Sequence, residues 1–592
     1  MDKIIRIGGA CGFLGDSILG PRQLAAVEGM HYLVFDYLAE MTLSSFAHAH
    51  RADPQAGFAA DFVSVTLREL LPACRQRGIR LVANAGGLNP AGCAAAIEAL
   101  SRELGCPVRV AWVEGDDCLG LLPGLAASDV RDFYTGAPMP EGITNANAYL
   151  GALPIARALA LGADIVVTGR IVDSATTLGI LMHEFEWPAS DFDRLAAGAL
   201  AGHLLECGAQ ATGGLYTDWE DVPDWAHIGY PYVEAGADGT FVVCKAPGTG
   251  GLLTPATVSE QVLYEVGDPA CYVLPDVVCD FSAVRLTQDG AQRVRVEGAR
   301  GLPPPPTYKV CATFQQGYRC SVQLSVFGAD AVRKARRTGD ALLARVRELV
   351  AASGEDDFDR TAVSVLGAED AYGPHARPDA GLREALLRIG ATHARPAPLA
   401  LLSREARAAG VSFAPGTTSG SALALDSRAA VEPLYRLFTC LVDKRLLPAP
   451  RVLMEGRQHM VPLADVEMAP PRPGPAAAGD CAPAPRSDRR VPLIELAHGR
   501  SGDKGDTSNI AVIARRPEDL PLLRRELTPQ KVRAYLGHLV HGEVYRYEVP
   551  GLGALNFLLT QSLDGGAPSS LRPDPMGKGL AQMLLGMPVS AD

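Results

Sequence analysis

The stretch IIRIGGACGFLGDS, residues 4–17, decides how the rest of the chain is read. An apolar run suited to a buried strand passes into glycines, and Gly9, Gly12 and Gly15 recur every three residues. That spacing approaches a dinucleotide fingerprint, and a second apolar run ends in Asp36, where a ribose contact would be needed. Two features oppose it. A pyrophosphate loop opens directly into a helix whose N-terminus holds the phosphates. Here GDSILGPRQL, residues 15–24, places Gly20 and Pro21 so that the helix starts too late. No Tyr-x-x-x-Lys pair is present for hydride chemistry. Two readings remain beside it: a plain packing turn, or a turn lining some other site with Asp16 pointing in. The last fits best.

Outward from this stretch, short apolar runs recur at Ile4–Ile7, Tyr32–Phe35, Ile79–Ala83, Val108–Val113 and Ile165–Thr168, with helical segments such as AGCAAAIEALSRELG between them. The pattern predicts an α/β fold with a mostly parallel sheet in the N-terminal half, residues 1–238. Residues 239–466 read as an α+β region, with short strands first. Helices are expected at DAVRKARRTGDALLARVRELVAAS and GLREALLRIG. Residues 467–490 are rich in Pro and Ala without a hydrophobic period and read as a linker. Residues 491–592 form a small α+β domain.

Ligands of open α/β sheets sit beyond the carboxyl ends of the strands. The polar residues there are Asp36 and Glu40, then Asn84, then Glu114, Asp116 and Asp117, then Arg170 and Asp173. VEGDD, residues 113–117, suits a solvated loop better than a divalent cation, and no metal is assigned. In VTGRIVDSATTLG, residues 167–179, Arg170 can clamp a carboxylate or phosphate, or simply pair with Asp173. HLLECGAQATGGLYTDWEDV, residues 203–222, sets Glu206 and Cys207 before Gln210 and Thr212, a set that reads as acid/base groups with polar orienters. Cys207 acts as a nucleophile only if its pKa is lowered. GTGGLLTPATVSEQ, residues 248–261, reads slightly better as a helix cap than as an anion site, and PGTTSGSA, residues 415–422, is similar. In the C-terminal domain, AHGRSGDKGDTSNIAVIA, residues 497–514, reads as two strands joined by an oversized loop. That loop carries Arg500, Asp503, Lys504 and Asp506, and Lys578 lies downstream. Such loops can cradle an anionic group.

The net charge of −12 argues against nucleic acid or an anionic membrane as the main partner. Thirteen scattered cysteines without a C-x-x-C pair, no cleavable signal pattern and no long apolar run point to a soluble cytoplasmic protein. Chains of this kind usually self-associate, so a homo-oligomer is expected.

GADIVVTGRIVDSATTLG, GHLLECGAQATGG, TPATVSEQVLYEVGDP, GRSGDKGDTSNIAV and ALNFLLTQSLDGGAPSSLRPDPMGKGL together resemble the acyclic terpene utilisation AtuA family. The resemblance implies a large N-terminal domain to about Asp465 and a ferredoxin-like C-terminal domain. It also implies breakdown of branched acyl-CoA intermediates, in a pathway context shared with acyl-CoA carboxylases and hydratases. It supplies no catalytic residues. The expected function is a catabolic enzyme acting on branched or hydroxylated acyl-CoA thioesters, as a hydratase/dehydratase or C–C lyase. Asp173 and Glu206 would be the acid/base pair, Gln210 and Thr212 the orienters, and Gly12, Asp16, Asn84, Arg170, Arg500, Asp503, Lys504 and Lys578 the contacts to the CoA-bearing ligand. The alternatives are a non-catalytic assembly subunit and an NAD(P)-dependent oxidoreductase.

Overall fold

The structure, a computed structural model, describes residues 3–377, 381–418, 431–473 and 489–590. Most of the expected linker and residues 419–422 of PGTTSGSA lie outside the described residues.

Five strands form a parallel core in the spatial order Ile4–Cys11, Tyr32–Phe35, Arg80–Ala83, Ile165–Thr168 and Val110–Glu114. They are near-continuous apolar runs because both faces are covered. Alternate side chains enter two separate cores: Val34, Val82 and Val166 pack on one face, and Leu33, Leu81 and Val167 on the other.

The expectation of a mostly parallel sheet is corrected. Pro231–Gly236 pairs antiparallel with the opening strand and is followed outward by Phe241–Lys245, Arg293–Glu297 and Arg285–Gln288. Arg451–Met454 and Arg457–Met460 extend the other edge, also antiparallel, and the eleven-stranded sheet is mixed. The cause is connection length. Parallel neighbours need a crossover, whereas the turn at Asp238 and Gly239 (φ 89°) joins two strands directly. Strands from either side of residue 239 therefore share one sheet.

A second sheet is organised by the 21-residue strand Thr307–Phe327. Its first half lies between Ile143–Ala148 and Val431–Asp443. A register shift between Gln315 and Tyr318, with Gly317 at φ 85°, bends it, and its second half pairs with Glu384–His393. The latter takes in Glu384–Gly390 of GLREALLRIG, expected as a helix, and is a strand. Ala385, Leu387 and Ile389 are buried at alternate positions, and both edges are hydrogen-bonded, to the long strand and to Arg360–Leu366. Tertiary pairing overrides the helical preference of Leu, Ala and Arg.

The C-terminal domain is a four-stranded antiparallel sheet in the order Ala497–Lys504, Thr507–Ala514, Ala554–Leu559 and Val544–Val549, with helices packed on one core. The expected oversized loop does not exist. Lys504 pairs with Thr507 across a two-residue turn in which Gly505 takes φ 65°. The backbone that would have cradled a phosphate is tied into a ladder. Among the described residues, no helix is long and apolar enough to cross a membrane.

Candidate functional site

The glycines of the opening stretch admit a helix end, not a phosphate. A Cβ at Gly12 would stand 2.9 Å from the carbonyl carbon of Cys207, and one at Gly9 would collide with the Leu205 carbonyl. The next helix, Leu19–Ala26, begins well beyond the turn. The close approach seats the end of the helix Phe192–Leu205, and with it Glu206 and Cys207, against the end of the opening strand. Asp16 does not reach inward. It accepts from its own loop at Gly12 N (2.8 Å) and from the Tyr230 hydroxyl (2.6 Å).

The neighbouring strand ends supply one polar nest. Asn84 Nδ2 donates to Asp36 Oδ1 (2.5 Å), and both residues are buried. Arg170, 2% exposed, donates from Nη1 to Asp173 Oδ1 (2.6 Å) and from its backbone N–H to buried Asp116 (2.8 Å). Its guanidinium lies 4.0 Å from the centre of the Tyr149 ring, and Lys309 Nζ lies 4.5 Å from the same ring. The Tyr149 hydroxyl donates to Glu40 Oε1 (2.7 Å), which also faces Lys309 Nζ at 3.4 Å. From the helix end, His203 Nδ1 meets Glu206 Oε1 at 2.9 Å, and His203 Nε2 is buried without a partner among the described residues. Tyr272 and Phe281 pack on the His203 ring.

The C-terminal domain closes the nest. Lys504 Nζ contacts Glu265 at 3.0 Å, and Lys578 Nζ contacts it at 3.6 Å while lying 4.4 Å from the Tyr264 ring. Glu265 stands at φ 57°, a left-handed conformation unfavourable for a side chain of its size. Two buried asparagines hold it there. Asn509 accepts from the Glu265 N–H (2.9 Å) and donates to Leu263 O (2.7 Å), and Asn556 donates to Val266 O (2.8 Å) and Gly267 O (2.6 Å). The Asp173 side chain stays 26% exposed and that of Lys504 42%, so these groups line a cleft open to solvent.

The electrostatics pull the acids apart. Burial raises the Asp36 carboxyl well above the carboxylate range, and the Asp173 charge adds to this. Burial likewise raises Glu206 and Asp503. Burial also opposes the charge of Glu40, but Lys309, Arg170 and Lys504 outweigh it and hold that carboxyl well below its ordinary value. Burial works against a charged His203 too, yet Glu206, 2.9 Å away, wins and raises it. Burial pushes the Cys207 thiol upward, with Glu206 adding to it, which disfavours the thiolate a nucleophile needs.

Of the residues singled out in the sequence, Asn84, Arg170, Asp173, Glu206, Cys207, Asp503, Lys504 and Lys578 gather here. Thr212 does not: its hydroxyl closes a turn onto Ala209 O and Gly229 O. Gln210 pairs with Arg500, which is buried in the seam between domains and also donates to Gly214 O and Leu215 O. Tyr149, Lys309, Glu265 and Tyr272 were not anticipated. Each stands alone in its stretch of sequence, and only the fold brings them together.

The family model described as acyclic terpene utilisation family protein AtuA matches residues 5–452, and the AtuA ferredoxin-like domain matches residues 491–590. No curated protein and no solved structure matches the chain.

Proposed function

The chain belongs to the acyclic terpene utilisation family AtuA, and on that premise we propose that it is a catabolic enzyme that adds or removes water, or cleaves a C–C bond, in branched or hydroxylated acyl-CoA thioesters. The observation that carries this reading is the divergence of acids within one cleft: burial raises Asp36 and Glu206, and Glu206 raises His203, while the surrounding cations lower Glu40. Dehydration of a 3-hydroxyacyl thioester needs both states together. A carboxylate removes the proton from the carbon beside the carbonyl. The C–O bond then breaks as a protonated group delivers its proton to the departing hydroxyl, which leaves as water. Asp173, beside Arg170 and accessible from the cleft, is the carboxylate that takes the proton, and the His203–Glu206 pair is the donor. Lys504 stabilises the negative charge that develops on the thioester oxygen. Cys207 has no covalent role.

The test is mass-spectrometric turnover of purified protein against branched enoyl- and 3-hydroxyacyl-CoAs, beside Glu206→Gln. A mass change of one water, or a cleaved chain, that is lost in the variant supports the reading. Folded protein with no change across the panel overturns it. The nicotinamide alternative draws no support from Gly9 and Gly12, because the backbone at the helix end fills the space beside them.

A further inference from the structure

One face of the second sheet carries an arginine cluster. Arg319 on the long strand lies directly across from Thr392, and Thr392 lies directly across from Arg360, so the two arginines share a face. Arg388 is on the strand of Thr392, an even number of residues away, and joins them. Arg436, on Val431–Asp443, reaches the same place. The C-terminal segment Leu563–Leu571 lies across this face. Arg319 donates to Pro568 O (3.2 Å), Arg360 to Ser569 O (3.3 Å) and Asp564 (2.5 Å), Arg388 to Leu571 O (2.5 Å), and Arg436 to Ser569 Oγ (3.2 Å).

The charges do not balance. Asp564 pairs with Arg360, and Glu432, 60% exposed at the rim, pairs with Arg319. Arg388 and Arg436 have no carboxylate partner among the described residues. Arg388 Nε and Nη2 and Arg436 Nη2 make no hydrogen bond there, and both residues are half-buried. Four guanidinium groups thus meet two paired carboxylates, Asp564 in the loop and Glu432 at the rim, with Asp506 nearby, and positive charge is left in excess in a half-buried seam. Burial first, and then a neighbouring arginine, lowers the pKa of both residues, while Asp564 and Asp506 pull Arg436 the other way.

The place is joined to the acid/base cleft. Asp506, two residues beyond Lys504, accepts from the backbone N–H groups of Leu563 (3.0 Å) and Gly565 (2.9 Å). Gly565 in turn lies against the Arg436 guanidinium. One turn of the C-terminal domain therefore fixes both Lys504 in the cleft and the loop over the arginines.

We propose that Arg388 and Arg436, framed by Arg319 and Arg360, form a binding site for an organic phosphate, taking the phosphate-bearing end of the thioester ligand whose acyl end enters the cleft. Planar guanidinium donors with unused N–H edges suit phosphate oxygens. Lys504 and Lys578, expected from the sequence to meet phosphate, both pair with Glu265 and leave that role to the arginines. The identity of the ligand as a CoA thioester rests on the function proposed above, whereas the phosphate site itself does not.

The experiment measures binding to the full chain by calorimetry, with CoA, adenosine 3′,5′-bisphosphate and inorganic phosphate as probes. Wild type, Arg388→Gln, Arg388→Lys and Glu206→Gln are compared, with thermal melts to confirm folding. Both organic phosphates are expected to bind wild type and Glu206→Gln alike, to weaken about tenfold or more in Arg388→Gln, and to recover in part in Arg388→Lys. Inorganic phosphate is expected to bind more weakly than either. Equal binding to wild type and Arg388→Gln, no binding of either organic phosphate, or inorganic phosphate binding as tightly as both, overturns the site. If these probes bind as expected while the turnover panel stays silent, the acyl-CoA reaction fails and the phosphate site stands.

Discussion

Gly12 and Cys207 approach so closely that a single added carbon on the glycine would sit 2.9 Å from the Cys207 carbonyl carbon. This contact joins the opening strand to the helix end that carries Glu206. Gly12→Ala is expected to destabilise the fold by about 1–3 kcal/mol through overpacking against backbone that cannot rotate away. It is also expected to lower turnover by displacing Glu206. Denaturant unfolding beside the turnover assay checks both. A variant as stable as wild type would show that the helix end yields freely.

Glu260 gives the seam between the domains a pH signature. It is 2% exposed and accepts from Thr217 N (3.1 Å) and Thr217 Oγ1 (2.6 Å), and the nearest cation, on Arg500, is 3.9 Å away. Burial raises its carboxyl to about 7. A carboxyl raised in the folded state binds its proton more tightly there than in the unfolded chain. Its stabilisation is therefore complete below the unfolded value near 4.5 and is lost as pH rises through about 7. The swing is roughly 3 kcal/mol. Glu260→Gln, which keeps an acceptor for Thr217, should lack this component. Unfolding midpoints at pH 5 and pH 8 that change equally in both proteins would refute it.

Asn509 holds two groups of the N-terminal domain at once, Leu263 O and the Glu265 N–H. Asn509→Ala leaves both buried without partners and is expected to cost about 2–4 kcal/mol. Release of Glu265 from its left-handed conformation would also free Lys504. Protease cleavage between the domains should speed up in the variant, and unchanged cleavage would show that the clamp is redundant.

The raised thiol of Cys207 predicts inertness. Iodoacetamide at pH 7.5 should leave Cys207 unmodified over a time that labels a free thiol fully, as read by peptide mass spectrometry. Cys207→Ala should keep at least half of the turnover. A loss of a hundredfold would make the sulfur a participant in the reaction.

The parallel core was legible because its strands are short apolar runs with both faces covered; Tyr32–Phe35 and Ile165–Thr168 appear with the bounds that the sequence suggested. The strand at Glu384–His393 was not legible, because its Leu, Ala and Arg carry helical preference and only its two neighbours make it extended. Half of the candidate site stood at readable strand ends. The other half, Tyr149, Lys309, Glu265 and Tyr272, comes from stretches with no clustered polarity. Lys309 meets Glu40, and Glu265 meets Lys504, across more than two hundred residues, which no local pattern encodes. The glycines misled in a specific way: close backbone approach to a phosphate and to a helix end demand the same small residue.

The docking of the hairpin Ala497–Lys504 and Thr507–Ala514 also sets an order of assembly. During synthesis, the segments that carry Glu40, Asp173, Glu206 and Glu265 emerge long before Lys504 and Lys578. Until then Glu265 has neither of the lysines that pair with it in the finished protein. The hairpin carries Arg500 and Lys504 against Asp503 and Asp506 and is neutral as a whole, so what it delivers is one placed lysine rather than a basic surface. On the function proposed above, the site lacks Lys504 and Lys578 until the last domain docks.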